Sequence, residues 1–138
     1  MSTSETITRT DLANILNEIL PNTSVDYIVE QGTNNSWTYR KWNSGIYEAW
    51  RTSTNSFNMS TKYGTDQYYT TDYYTLPSNV LSIDHIDLKR IAGGTGLVET
   101  SVYDVNITNQ RVSFYIWNDG ASYSGSFTMG MRLIGKWK

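Results

Sequence analysis

The sequence predicts an all-β domain, an antiparallel sandwich or jelly roll of short strands, carried behind one short N-terminal helix. Three features lead there. Five Trp and eleven Tyr stand among 138 residues while Leu and Ala are sparse, and Trp, Tyr, Thr, Val and Ile suit a pleated, half-buried surface. From residue 25 onward the apolar residues alternate with a period of two. Asn, Gly and Ser then punctuate the chain at short intervals, as turns between many short strands require. Each large ring can bury about 150–250 Å², so a core is within reach although the mean hydropathy is only -0.48. One domain is expected at this length, with residues 1–24 as arm and helix and residues 25–138 as the β-sandwich.

The helix comes first. Thr10 and Asp11 supply an N-cap and a first-turn acid. Leu12, Ile15, Leu16, Ile19 and Leu20 recur at helical spacing, and Pro21 stops the run. A helix of about ten residues is marginal alone in water, so its stripe needs a partner: its own domain, sister copies, or another protein. Val25, Tyr27 and Val29 begin the first strand, which ends at Gln31 and Gly32 before a loop at Asn34 and Asn35. Residues 37–42 and 46–51 form the clearest hairpin, closed by Asn43, Ser44 and Gly45. Residues 52–61, rich in Ser, Thr and Asn, read as a solvent-facing edge strand or a long loop. Residues 63–74 are polar and dense in Tyr. Residues 80–91 alternate as a strand, Gly93, Gly94 and Gly96 mark a turn, and residues 97–107 pair with residues 111–117. A Gly/Ser loop at residues 118–125 leads to a closing strand at residues 126–137.

Composition narrows the function classes. A formal net charge of -2 with scattered basic residues does not supply the clustered Lys and Arg that neutralise phosphates, so no nucleic-acid partner is expected. There is no cysteine for a disulfide or thiolate site. The first residues lack a signal-peptide pattern, and no apolar run approaches the ~20 residues of a membrane span. Neither a membrane partner nor a cofactor is expected.

Nothing in the sequence assembles catalytic chemistry. His85 is the one histidine, and a strand puts it on the same face as Asp87. Without a second His or a Cys, a zinc site would rest on carboxylates alone, and no nucleophile elbow accompanies the many serines. Carboxylates such as Glu48, Asp66, Asp72, Asp84, Asp87, Glu99 and Asp104 carry no spacing that selects an acid–base pair. The Gly93–Gly96 run lacks the Lys-Ser/Thr of a phosphate loop. Catalytic and metal residues are therefore expected to be none.

The tyrosine segment is the better lead. Aromatic faces stack on the apolar faces of sugars, while Asp, Asn and Thr bond hydroxyls, and Tyr offers rigid amphipathic area at low entropy cost. Tyr68, Tyr69, Tyr73, Tyr74, Trp117 and Asp119 carry that chemistry as glycan ligands. The same rings equally suit strand packing or subunit contacts.

Residues 26–50 contain Val29-Glu30, then Trp37-Thr38-Tyr39-Arg40-Lys41-Trp42, then Ser44-Gly45, Glu48 and Trp50, and the chain closes on Gly135-Lys136-Trp137-Lys138. This block and ending resemble the C-terminal β-domain of tail and fibre proteins from phages of Gram-positive hosts. The resemblance covers roughly residues 25–138, although residues 52–80 match only in general character. It implies a jelly-roll-like sandwich, a homotrimer, and a place on the virion surface. It makes Trp37, Tyr39, Trp42, Trp50 and Trp137 scaffold, in the core or at subunit contacts. In long tail proteins a stalk precedes this domain, whereas here a polar arm and a helix do. The resemblance thus implies a head fibre, capsid decoration or tail or baseplate tip protein, docked on other virion proteins through Leu12, Ile15, Leu16, Ile19 and Leu20. Host-surface glycan binding would be the purpose of the exposed face. The alternative is a free-standing lectin-like carbohydrate-binding module.

Overall fold

A computed structural model describes residues 8–19, 25–94 and 98–138. One helix, α1 (Arg9–Ile19), precedes nine strands: β1 (Ile28–Asn34), β2 (Trp37–Trp42), β3 (Ile46–Met59), β4 (Thr61–Tyr63), β5 (Gln67–Thr75), β6 (Ser82–Gly93), β7 (Val98–Asn106), β8 (Arg111–Asp119) and β9 (Tyr123–Lys136). Every pairing is antiparallel. The strands form two sheets, ordered β1-β2-β3-β9-β6 and β4-β5-β8-β7. The predicted all-β sandwich with a short helix is the observed architecture. The chain changes sheet at four connections: β3 to β4, β5 to β6, β6 to β7, and β8 to β9.

Alternation builds the core between the sheets. From the first sheet come Trp37, Tyr39, Tyr47, Ala49, Phe57, Met59, Phe127, Met129, Met131 and Leu133; from the second come Tyr74, Val112, Phe114 and Ile116. Phe57 packs against Phe114 across the gap at a ring separation of 6.3 Å, and Tyr74 packs against the same ring from the neighbouring strand at 4.9 Å. Trp37 is fully buried, and its Nε1 donates to the Thr75 carbonyl at 2.8 Å, tying β2 to the end of β5.

Residues 52–61 resolve in favour of strand. Their run continues β3 to Met59 and pairs residue by residue with β9, while β2 leaves the other edge open beyond Trp50. The polar Ser/Thr/Asn positions conceal an inward parity that ends on Phe57 and Met59, both buried. Likewise β8 and β9 extend into the expected Gly/Ser loop, which shrinks to residues 120–122. The first hairpin turns at Asn35 and Ser36, with φ of 49° and 66°. Both central residues are left-handed, as a two-residue loop between twisted strands prefers.

The helix begins earlier than expected. Its cap is Thr8 rather than Thr10: Thr8 Oγ1 accepts from the Asp11 amide at 3.0 Å, and Asp11 Oδ2 accepts from the Thr8 amide at 3.0 Å. This reciprocal capping box outcompetes Thr10, which has no acid three residues on. The bonds from Thr8 hold the Asp11 carboxyl below its ordinary pKa. Leu12 and Ile15 are exposed, Ala13 is buried, and no described helix side chain is part of the cluster between the sheets. Of Leu16 and Ile19 only the backbone is described; the arm, Leu20, Pro21 and Gly96 lie outside the described residues.

Candidate functional site

The two sheets present very different outer faces. On the first sheet lie charged side chains: Arg40, Glu48 and Arg132 with Asp87, His85 and Lys89. His85 Nε2 and Asp87 Oδ2 are 2.9 Å apart, and both side chains are exposed. The shared face expected from strand parity is therefore present; Asp87, without His85, lines an open hollow of about 340 Å³ with Trp50, Lys89, Ile91 and Arg132. Among the described residues no group of three His, Cys, Asp or Glu could hold a metal ion.

On the second sheet a group of the outward positions is aromatic. In β8 the residues Val112, Phe114 and Ile116 turn inward, so Tyr115, Trp117 and Asp119 turn outward. Cross-strand pairing then fixes their neighbours. Tyr69 lies opposite Trp117, Gln67 opposite Asp119, and Tyr63 opposite Gln67. A bulge between Val102 and Asp104 brings Tyr103 over Tyr115, with ring centroids 4.2 Å apart. Tyr63 meets Tyr69 edge to face at 6.4 Å, and Tyr69 meets Tyr115 edge to face at 5.7 Å. Edge-to-face contacts set successive rings as floor and wall, so they enclose a hollow instead of a flat plate. Its volume is about 350 Å³, lined by Tyr63, Gln67, Tyr69, Tyr115 and Trp117.

A second, more open hollow of about 570 Å³ adjoins it, sharing Tyr63 and Gln67 and adding Asp66 and Asp119. The β4–β5 turn and the β8–β9 loop form its rim. The Gly120 amide donates to the Asp66 carbonyl at 2.6 Å, and Asn118 Nδ2 donates to the Ala121 carbonyl at 2.8 Å. The first bond ties the two loops together, and the second braces the β8–β9 loop. Gly64 and Gly120 have left-handed φ of 66° and 96° with open space where a side chain would begin. Apolar ring faces beside carboxylate and amide groups are suited to a flat ligand with one apolar face and a hydroxylated edge.

The six expected glycan residues divide between the two faces. Tyr69, Tyr73, Trp117 and Asp119 point outward, and Tyr73 stacks under the Arg111 guanidinium at 5.4 Å. Tyr68 and Tyr74 belong to the inner face and are a correction to that set. Tyr74 is buried, its hydroxyl accepts from Ser53 at 2.8 Å, and Tyr68 packs against the core. Adjacent strand residues face opposite ways, so any Tyr-Tyr doublet must split. Tyr63 and Gln67 fall inside the tyrosine segment without being among the six expected glycan residues, and sequence reasoning passed over Tyr103 and Tyr115. The β8 alternation carries the signal for Tyr115, whereas the bulge at Tyr103 leaves no local mark.

The expected scaffold residues also divide. Trp37 and Tyr39 are core. Tyr39 stacks on Tyr47 at 5.5 Å and donates to Glu30 Oε1 at 2.6 Å, which raises the Tyr39 pKa and, with Lys41, lowers that of Glu30. Trp42 donates to Glu48 at 3.1 Å, and Trp137 donates to the Trp42 carbonyl at 2.8 Å and packs on the core. Trp50 is the exception, 37% exposed on the outer face under Arg40 at 5.1 Å. It is not a core residue.

Comparison with family models, with curated proteins and with solved structures finds no match. The reading of function therefore rests on this geometry and on the motif resemblance.

Proposed function

We propose that the chain is a non-enzymatic surface protein of a bacteriophage particle, a head fibre, capsid decoration or tail or baseplate tip. In this reading helix α1 anchors it to other virion proteins and the sandwich, as a homotrimer, faces the host and binds surface glycan. The observation that carries the attachment role is the aromatic hollow on the outer face of the β4-β5-β8-β7 sheet. A buried core needs no such rings outside, and large exposed aromatic clusters mark binding surfaces. The jelly-roll description gains support from the four changes of sheet along the chain. The anchor gains support from Leu12 and Ile15, which are 51% and 42% exposed on the helix. Trp50 is available to a subunit contact.

The test is removal of residues 1–24. The expected product is a folded trimer that no longer joins phage particles by electron microscopy, and a truncated protein that still assembles on them overturns the anchor. The second reading is a free-standing lectin-like module, which would use the same hollow lined by Tyr63, Gln67, Tyr69, Tyr115 and Trp117. Sugar binding by a protein that never co-purifies with particles decides for it.

A further inference from the structure

We propose that the ligand of the outer aromatic hollow is an uncharged oligosaccharide, seated between Tyr63, Tyr69, Tyr115 and Trp117 with its hydroxyls toward Gln67, Asp66 and Asp119. The inference rests on the reading that the sandwich binds glycan, and it adds the site and the chemical class.

The charges of this face select the class. Asp66 and Asp119 line the adjoining hollow, Glu99 pairs with Trp117 across the strands, and Asp104 lies opposite Ser113. Against these four carboxylates, the outward positions of this sheet carry one cation, Arg111, which lies over Tyr73. The other cation on these strands, Lys62, lies opposite Tyr68 and over its ring, on the inward parity. A phosphate-rich or sialylated polymer would meet like charge at the hollow, because the one guanidinium of this face, Arg111, lies at the opposite end of β8. Carboxylates and a primary amide, in contrast, accept from sugar hydroxyls without a charge partner.

The argument for an oligosaccharide is the extent of the platform. The rings run without a break from Tyr63 through Tyr69 and Tyr115 to Tyr103. Tyr63, Tyr103 and Tyr115 keep 69%, 49% and 36% of their surface exposed, so the ring faces are not used up by one another. The hollow of about 350 Å³ lies at the small end of the ~300–1,000 Å³ range of ligand pockets. It takes one unit of a chain whose remainder lies over Tyr103 on one side and the Asp66 and Asp119 rim on the other.

The test uses the full chain on a printed array of neutral hexose and N-acetylhexosamine oligosaccharides beside sialylated and phosphorylated ones. Binding is expected on neutral spots, little changed by added salt. Tyr69→Ala and Trp117→Ala should each weaken it on the order of tenfold or more. Tyr63→Ala and Asp119→Asn, on the exposed rim, should weaken it several-fold with the unfolding midpoint unchanged; they keep the test valid if a ladder variant fails to fold. Neutral-sugar binding that survives all four changes overturns the site and leaves the glycan reading standing. Binding confined to anionic spots overturns the class. No binding to any sugar overturns the glycan reading and the inference with it. Light scattering supplies the last outcome: an oligomer that Tyr69→Ala or Trp117→Ala breaks into monomers means that a second copy covers this face, and that too overturns the proposal.

Discussion

Two regions of this chain are equally rich in large rings, and they do opposite things. The hairpin of β2 and β3 turns Trp37, Tyr39 and Tyr47 inward, where they stack, donate to carbonyl and carboxylate oxygens, and close the core. The β4-β5 and β7-β8 hairpins turn Tyr63, Tyr69, Tyr103, Tyr115 and Trp117 outward, around a hollow. Composition is blind to the difference. What separates the regions is parity: on an antiparallel strand one residue of slip exchanges core for surface. A cluster of rings is therefore evidence of a site only after its face is known.

The largest expected effect breaks the inward region. Trp37→Ala removes a fully buried ring and its bond to Thr75, and should cost about 3–5 kcal/mol, enough to unfold a marginal domain. Tyr115→Ala on the outer face should cost about 1 kcal/mol or less, because that ring loses contacts with its neighbours and leaves no cavity. Urea unfolding measures both, and comparable costs would erase the distinction between the regions.

Alkaline pH probes the same division. Burial raises the pKa of Tyr47, with the neighbouring Tyr39 and Glu30 adding to it, and the hydrogen bond to Glu30 raises that of Tyr39. A folded-state pKa above the unfolded value means stability that is complete below about pH 10 and is lost as the pH rises beyond it. Thermal unfolding across that range should show the loss. Tyr47→Phe should flatten the curve, while giving up about 1 kcal/mol for the hydroxyl bond to Asn79 at 2.7 Å.

Within the hairpin itself, Trp50 sharpens the comparison. It belongs to the same sequence block as Trp37 but sits on the outer face, so Trp50→Ala should cost only about 1 kcal/mol, mostly the contact with Arg40. The smallest expected effect is a gain. Ser36 holds a left-handed φ of 66° in the adjoining turn that sets the register of β1 against β2, and Ser36→Gly should stabilise by up to about 1 kcal/mol in the same urea experiment.

Much of this arrangement is legible in the sequence, where the signal is local. The β8 run Val112, Phe114, Ile116 against Tyr115, Trp117 declares both of its faces, and the Asn43–Gly45 turn marks its hairpin. The capping box at Thr8 and Asp11 is equally local, and Thr10 stands out only while the third residue on is ignored. Other features depend on partners far along the chain. Ser53 and Asn55 look solvent-bound until β9 pairs beside them and turns that parity inward. Tyr74 looks like its neighbour Tyr73 until the inward side of β5 is fixed by the buried Leu76 that follows in the same parity. The hollow itself joins β4, β5 and β8, so no single window of sequence contains it.

The division between the two aromatic regions is measured most directly by tyrosine modification of the native full chain with an aqueous acylating reagent, read by mass spectrometry. The account predicts that Tyr63, Tyr73, Tyr103 and Tyr115 react, while Tyr39, Tyr47 and Tyr74 stay protected until the protein unfolds. Protection of the first four, or reaction of the last three in the folded protein, would contradict it.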